Sequence, residues 1–177
     1  MRVCVYGAAR ETIDKAYLKE GEKLGKLLAK NDMELVFGAG KTGMMGAVSR
    51  GVKKHGGKVI GVTPKFMEKF EPIADCTETI VTDTMNERKF MMETLADAFV
   101  ITPGGIGTYD EFFEILTLKQ LEQTDKPIIV LNYNGYYDRL IALLNGMAQE
   151  GFMDYKILSY IEVVDDAEGV LEVLKNE

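Results

Sequence analysis

Ala98-Phe99-Val100-Ile101-Thr102-Pro103-Gly104-Gly105-Ile106-Gly107-Thr108-Tyr109-Asp110-Glu111 runs from an apolar, β-rich stretch into a helical pattern that continues through Phe112, Phe113 and Leu116. That order predicts a strand, a glycine turn and a helix with carboxylates in its first turns. Gly104, Gly105 and Gly107 let the backbone approach a ligand closely, and the free N–H groups and positive dipole end of the helix favour an anion such as phosphate. A phosphate seat with an acid beside it points to chemistry on a phosphorylated substrate.

The same alternation extends in both directions. Short β-rich runs at 3–6, 35–37, 59–62, 79–81, 99–101, 128–131 and 161–164 alternate with segments long enough for helices at 12–30, 43–55, 85–97, 107–123, 136–150 and 166–175. This βαβα order predicts an α/β fold, a mainly parallel sheet flanked by helices on both faces. Most strand ends carry Gly, Pro, Thr or Asn, as at Gly7, Gly38, Thr63-Pro64, Thr102-Pro103 and Asn132. In an open parallel sheet these ends share one edge, where ligands bind. With 177 residues and no repeat or linker, the chain is expected to form one domain over 1–177. The stretch 68–77 is the only long irregular connection and reads as a surface loop, with a lid as the alternative.

Charge and composition exclude several classes. A formal net charge of −7 disfavours nucleic acid or an anionic membrane as partner, since both reward a basic patch. Glycine, at 18 residues, exceeds the average of about 7% and gathers where an α/β protein makes its ligand turns. Cys4 and Cys76 form no CxxC or His/Cys cluster, so neither a disulfide nor a metal is expected. No apolar stretch approaches the roughly 18 residues of a membrane span, and Arg2-Val3-Cys4-Val5-Tyr6 reads as a strand rather than a signal peptide. A cytoplasmic protein acting on a small molecule is the expectation.

Two further stretches carry chemistry. Gly38-Ala39-Gly40-Lys41-Thr42-Gly43 satisfies G-x-G-x-x-G, yet it follows the second strand and no acid closes the next one, so the dinucleotide reading is weak. Leu35 stands where a P-loop needs its first glycine. Contact with ribose or phosphate and a purely structural tight turn both remain open here. In Met85-Asn86-Glu87-Arg88-Lys89, Met85 recurs with Met92 and Leu95 at core-forming helical spacing. Arg88 falls near the edge of that buried stripe, where a guanidinium must find a partner. Glu87 and Lys89 have a solvated face as the plain alternative.

Together these stretches resemble the Lonely Guy (LOG) family of cytokinin riboside 5′-monophosphate phosphoribohydrolases, whose older members were labelled lysine decarboxylase-like. The PGGxGTxxE motif is complete at 103–111, M-x-x-RK matches 85–89, and the glycine turn leading into Gly43-Met44-Met45-Gly46 matches GLMG with Met44 for leucine. The resemblance implies a Rossmann-like fold and a homodimer or larger oligomer with its active site close to the dimer interface. It implies cleavage of the N-glycosidic bond of AMP or a cytokinin-type nucleotide, releasing free base and ribose 5-phosphate. Glu111 and Arg88 take the catalytic positions. Gly104, Gly105, Gly107 and Thr108 would hold phosphate, while Lys89, Met85, Gly40 and Thr42 would line the substrate pocket, with no cofactor and no metal.

The chain departs from that pattern at Gly7-Ala8-Ala9-Arg10, where most members have a cysteine-glycine-serine-serine turn. Arg10 could replace the missing hydroxyls as a phosphate ligand or lie on the surface. His55, the only histidine, reads as a helix-end residue, and no lysine stands in a pyridoxal-phosphate context. Tyr133, Tyr136, Tyr137 and Tyr155 read as packing residues that could alternatively stack on a base. A non-catalytic nucleotide or molybdenum-cofactor carrier of the same fold, and an unrelated phosphosugar enzyme, are the alternative functions.

Overall fold

The computed structural model of the chain describes residues 1–176. Seven strands, β1 Arg2–Tyr6, β2 Glu34–Phe37, β3 Val59–Pro64, β4 Glu78–Thr82, β5 Ala98–Ile101, β6 Ile128–Leu131 and β7 Ile161–Val164, form one sheet. Their order is β4-β3-β2-β1-β5-β6-β7 and every pairing is parallel. Six α-helices accompany them among the described residues, α1 Lys15–Lys30, α2 Gly43–Lys54, α3 Met85–Leu95, α4 Ile106–Gln120 and α5 Asp138–Gln149 between strands and α6 Ala167–Asn176 after β7. The expected α/β fold is present, and the expected strands lie within about two residues of the observed ones.

Alternation along the strands divides the core. Val3, Val5, Leu35, Phe37, Val100 and Ile129 face α1, α2 and α6, whose Leu24, Leu28, Val48, Val52, Val170 and Leu174 cover them. Cys4, Tyr6, Val36, Ile60, Phe99 and Ile101 face the opposite layer with Met92 of α3, Phe112 and Ile115 of α4, and Leu140 and Leu144 of α5. Burial on both faces is why these strands read as continuous apolar runs.

The chain winds outward from β1 to β4, then returns to place β5 on the other side of β1. Strand order therefore reverses between β1 and β5, where Tyr6 lies opposite Ile101. The ends of these two strands open the crevice that an α/β sheet offers a ligand. The stretch after β3 begins with a short 3-10 helix at Lys65–Lys69. It then runs back along the end of β2, where Gly40 bridges Ile73, Lys41 N–H donates to the Pro72 carbonyl and Ala74 N–H to the Ala39 carbonyl.

Candidate active site

The turn after β5 is anchored from both neighbours. Thr102 Oγ1 donates to the Tyr6 carbonyl at 2.8 Å, and the Tyr137 hydroxyl donates to the Thr102 carbonyl at 2.7 Å. Gly105 then caps α4 without any side-chain hydrogen bond to the helix's first N–H groups. Those donors and the positive end of the dipole are left for an anion. Gly104 and Gly105 border a cleft of about 380 Å³ together with Ala8, Arg10, Asp14 and Tyr17. Tyr136 forms part of its wall and donates its hydroxyl to the Gly104 carbonyl at 2.7 Å. Arg10 is thus on the cleft and supplies the positive side chain opposite the glycine turn.

The other glycine turn is closed by its own chain. Gly43 has φ +63°, and a Cβ there would come within 2.4 Å of the Ala8 carbonyl oxygen. Met45 N–H donates to that same oxygen at 3.2 Å, and the Thr42 hydroxyl donates to the Ala9 carbonyl. The N-terminus of α2 is therefore occupied by the 7–10 loop, whereas that of α4 is open. The structural reading of 38–43 accounts for Gly43 and for the Thr42 hydroxyl.

Arg88 and Glu111 meet in the interior. Thr84 caps α3 by accepting from Glu87 N–H at 3.1 Å, which fixes the helix so that Arg88 turns inward. Its guanidinium lies 3.2 Å from Glu111 Oε1 and donates to the Val62 carbonyl at 3.2 Å. Arg88 is 6% and Glu111 8% exposed, so the two charges face each other with little water. Gly38 makes the room: a Cβ there would stand 1.9 Å from Arg88 Nη2. Burial pushes the Glu111 carboxyl up from 4.5 to about 7, against the opposing pull of the guanidinium. Such a carboxyl exchanges its proton near neutrality while remaining tied to a cation.

Arg88 also faces Glu71 from the stretch after β3. Burial raises the Glu71 carboxyl, and the nearby Arg88 charge opposes the shift. Lys89 turns away from Arg88 toward α4 and ion-pairs with Asp110 at 3.1 Å and Glu114 at 2.6 Å.

The structure thus brings Arg88, Glu111 and Gly38 into one cluster and Gly104, Gly105 and Arg10 into one cleft. Thr108, 4% exposed, packs its hydroxyl against Gly104, while Gly107 is exposed on the first turn of α4. Gly40 is engaged in the bridge to Ile73. Met92 is fully buried, but Met85 is only half-buried and belongs to neither core cluster, correcting its place in the core stripe. A helix's first residue overhangs the strand end instead of the sheet. Glu71 and Glu114 escape sequence reading as site residues, and Tyr136 was read for packing or base stacking, not for holding the glycine turn. The first lies in an irregular stretch and the second in a charged helix face, and only Tyr136, after the Asn134-Gly135 turn, had any positional signal.

An all-parallel doubly wound sheet with an uncapped glycine turn and a buried Arg–Glu pair at its carboxyl edge defines a Rossmann-like α/β protein. The family model described as "Possible lysine decarboxylase" matches residues 45–174. The chain is 39% identical over 96% of its length, and 90% of the relative's, to a Mycobacterium tuberculosis protein named cytokinin riboside 5′-monophosphate phosphoribohydrolase. A Rhodococcoides fascians protein of that name is 35% identical, over 98% of this chain and 89% of the relative. The chain belongs to this family, the LOG phosphoribohydrolases. A structure titled as the molybdenum cofactor carrier protein from Chlamydomonas reinhardtii has a TM-score of 0.75 at 22% identity, covering 99% of this chain and 96% of the other, which is a likeness of fold.

Proposed function

We propose that the chain hydrolyses the N-glycosidic bond of a nucleoside 5′-monophosphate of the adenine type, AMP or a cytokinin-type nucleotide, releasing free base and ribose 5-phosphate. The buried Arg88–Glu111 pair beside the open N-terminus of α4 carries this reading. The 5′-phosphate takes the free N–H groups of Gly105, Gly107 and Thr108, with the Gly104 backbone close against it and Arg10 facing it. This leaves C1′ toward Glu111.

Bond cleavage sends the electron pair of the C1′–N bond to the base and develops positive charge on the sugar. The ionised Glu111 carboxylate stabilises that charge and steers water onto C1′, accepting its proton and passing it to the departing base, which leaves neutral while the carboxylate is restored. Arg88 holds the carboxylate in place and orients the substrate. Lys89, Met85, Gly40 and Thr42 shape the surrounding pocket. The relatives' names support this substrate class. As in the family resemblance, the active unit is a homodimer or larger, located in the cytoplasm.

Incubation with a panel of purine and pyrimidine monophosphates, read by chromatography, tests the reading. AMP or its N6-prenyl analogue should yield free base, and Glu111→Gln or Arg88→Ala should abolish release with an unchanged circular dichroism spectrum. The alternative, a nucleotide or molybdenum-cofactor carrier of the same fold, requires tight binding with no turnover. Absence of ribose 5-phosphate across the panel would sink the hydrolase.

A further inference from the structure

A second concave surface lies between α1 and α2, away from the switch point. The two helices approach so closely that a Cβ on Gly51 would stand 2.2 Å from the Glu22 carbonyl oxygen. Gly51 therefore floors a groove of about 600 Å³, larger than the cleft at the α4 turn and within the range that holds small ligands. Its walls carry Lys23, Lys26, Arg50, Lys53 and Lys54, and Glu22 and His55 complete the lining.

The charge of this region opposes that of the molecule. Residues 15–55 hold nine of the 21 Lys and Arg and four of the 28 Asp and Glu, so a local balance of +5 sits in a chain of −7. Three groove cations have partners: Arg50 with Glu22 at 3.1 Å, Lys53 with Asp75 at 2.9 Å, and Lys23 with Glu168. Lys26 and Lys54 are exposed, and neither pairs with a carboxylate among the described residues. Two unneutralised ammonium groups bordering one groove favour an anion between them.

We propose that the groove between α1 and α2 binds a compact polyanion, a small molecule carrying two or more phosphate groups. Five cations border the groove against Glu22, so a ligand with two or more phosphate groups reaches several of them at once where a single phosphate reaches fewer. An extended polyanion is disfavoured by the strongly acidic remainder of the chain. The groove also adjoins the turn after β2, since Arg50 Nη1 donates to the Lys41 carbonyl at 3.4 Å. An anion that draws Arg50 toward the groove weakens that bond, which gives the ligand a route to the candidate active site.

Isothermal titration of the full chain with inorganic tripolyphosphate tests the proposal without reference to catalysis. Expected are one-to-one binding that survives saturating AMP, much weaker binding of inorganic phosphate, and a loss of about tenfold or more in the Lys26→Glu/Lys54→Glu variant. Because both side chains are exposed, the variant should retain the wild-type melting curve, and Lys54→Gln alone should give a smaller loss. Absence of binding, or unchanged affinity in the double variant, overturns the proposal. So does displacement by AMP or loss of binding in Arg10→Ala, which would put the anion in the cleft at the α4 turn. Tighter binding of a single-stranded oligonucleotide than of tripolyphosphate, abolished by the double variant, would also overturn it in favour of a nucleic-acid surface.

Discussion

Arg88 ties three other elements together: from the N-terminus of α3 it packs against Gly38 after β2 and bonds the Val62 carbonyl in β3 and Glu111 on α4. Its spacing at the edge of an apolar stripe made a buried guanidinium legible in the sequence. That Gly38 is the residue making room for it was not legible, because the contact joins positions 50 apart. Gly38→Ala is expected to push the guanidinium off Glu111, lowering activity while costing about 1–3 kcal/mol of stability, as a denaturant titration and a turnover assay would register. Glu111 gives a pH prediction. Its folded value of about 7 lies above its ordinary 4.5, so the folded state keeps a proton that the unfolded chain has released. Its contribution to stability is present in full below about 4.5 and is lost as pH rises through 7. The stability of Glu111→Gln relative to wild type should therefore increase between pH 5 and pH 8. Over the same interval wild-type kcat/KM should rise with an apparent pKa near 7, and Glu111→Gln should lose about 10²- to 10⁴-fold in rate.

Two helices begin at glycine turns, and the sequence alone does not tell them apart. Both follow a buried strand, and both leave backbone N–H groups at a helix start. The difference arises from a third piece of chain, the 7–10 loop, which gives its Ala8 carbonyl to Met45 of α2 and leaves α4 open. Such a partner lies over 30 residues away in sequence, beyond any local pattern. Gly43→Ala tests this arrangement: the positive φ and the approach to Ala8 predict a loss of at least about 1 kcal/mol. Thermal unfolding measures it, and an unchanged melting temperature would mean that the loop can move aside. By contrast, strand boundaries were legible to within about two residues and helix boundaries to within about three, because apolar runs buried on both faces and glycine or proline at their ends leave little freedom. Thr84-Met85-Asn86-Glu87 also carries a capping-box spacing that matches the observed start of α3.

At the scale of the molecule, winding outward from β1 and then back past it leaves one crevice, and both candidate clusters stand at its edge. The parallel sheet was legible from the alternation of elements; the strand order, which depends on where each crossover lands, was not. Phe90 on α3 is 67% exposed and Leu121 at the end of α4 is 60% exposed, flanking the helices that supply Arg88 and Glu111. If this face joins two copies, light scattering should give twice the chain mass, and Phe90→Asp should shift the population toward monomer.

The ribbon at 70–76 touches the turn after β2 through two main-chain bonds, Lys41 to Pro72 and Ala74 to Ala39. It belongs to no strand of the sheet, so it can detach while the sheet stays intact. The amides of Lys41 and Ala74 should therefore exchange with deuterium well ahead of those in β1 and β5. A nucleotide held between the crevice and the ribbon would slow those two amides selectively, making them a built-in reporter of occupancy even in a variant that cannot turn its substrate over.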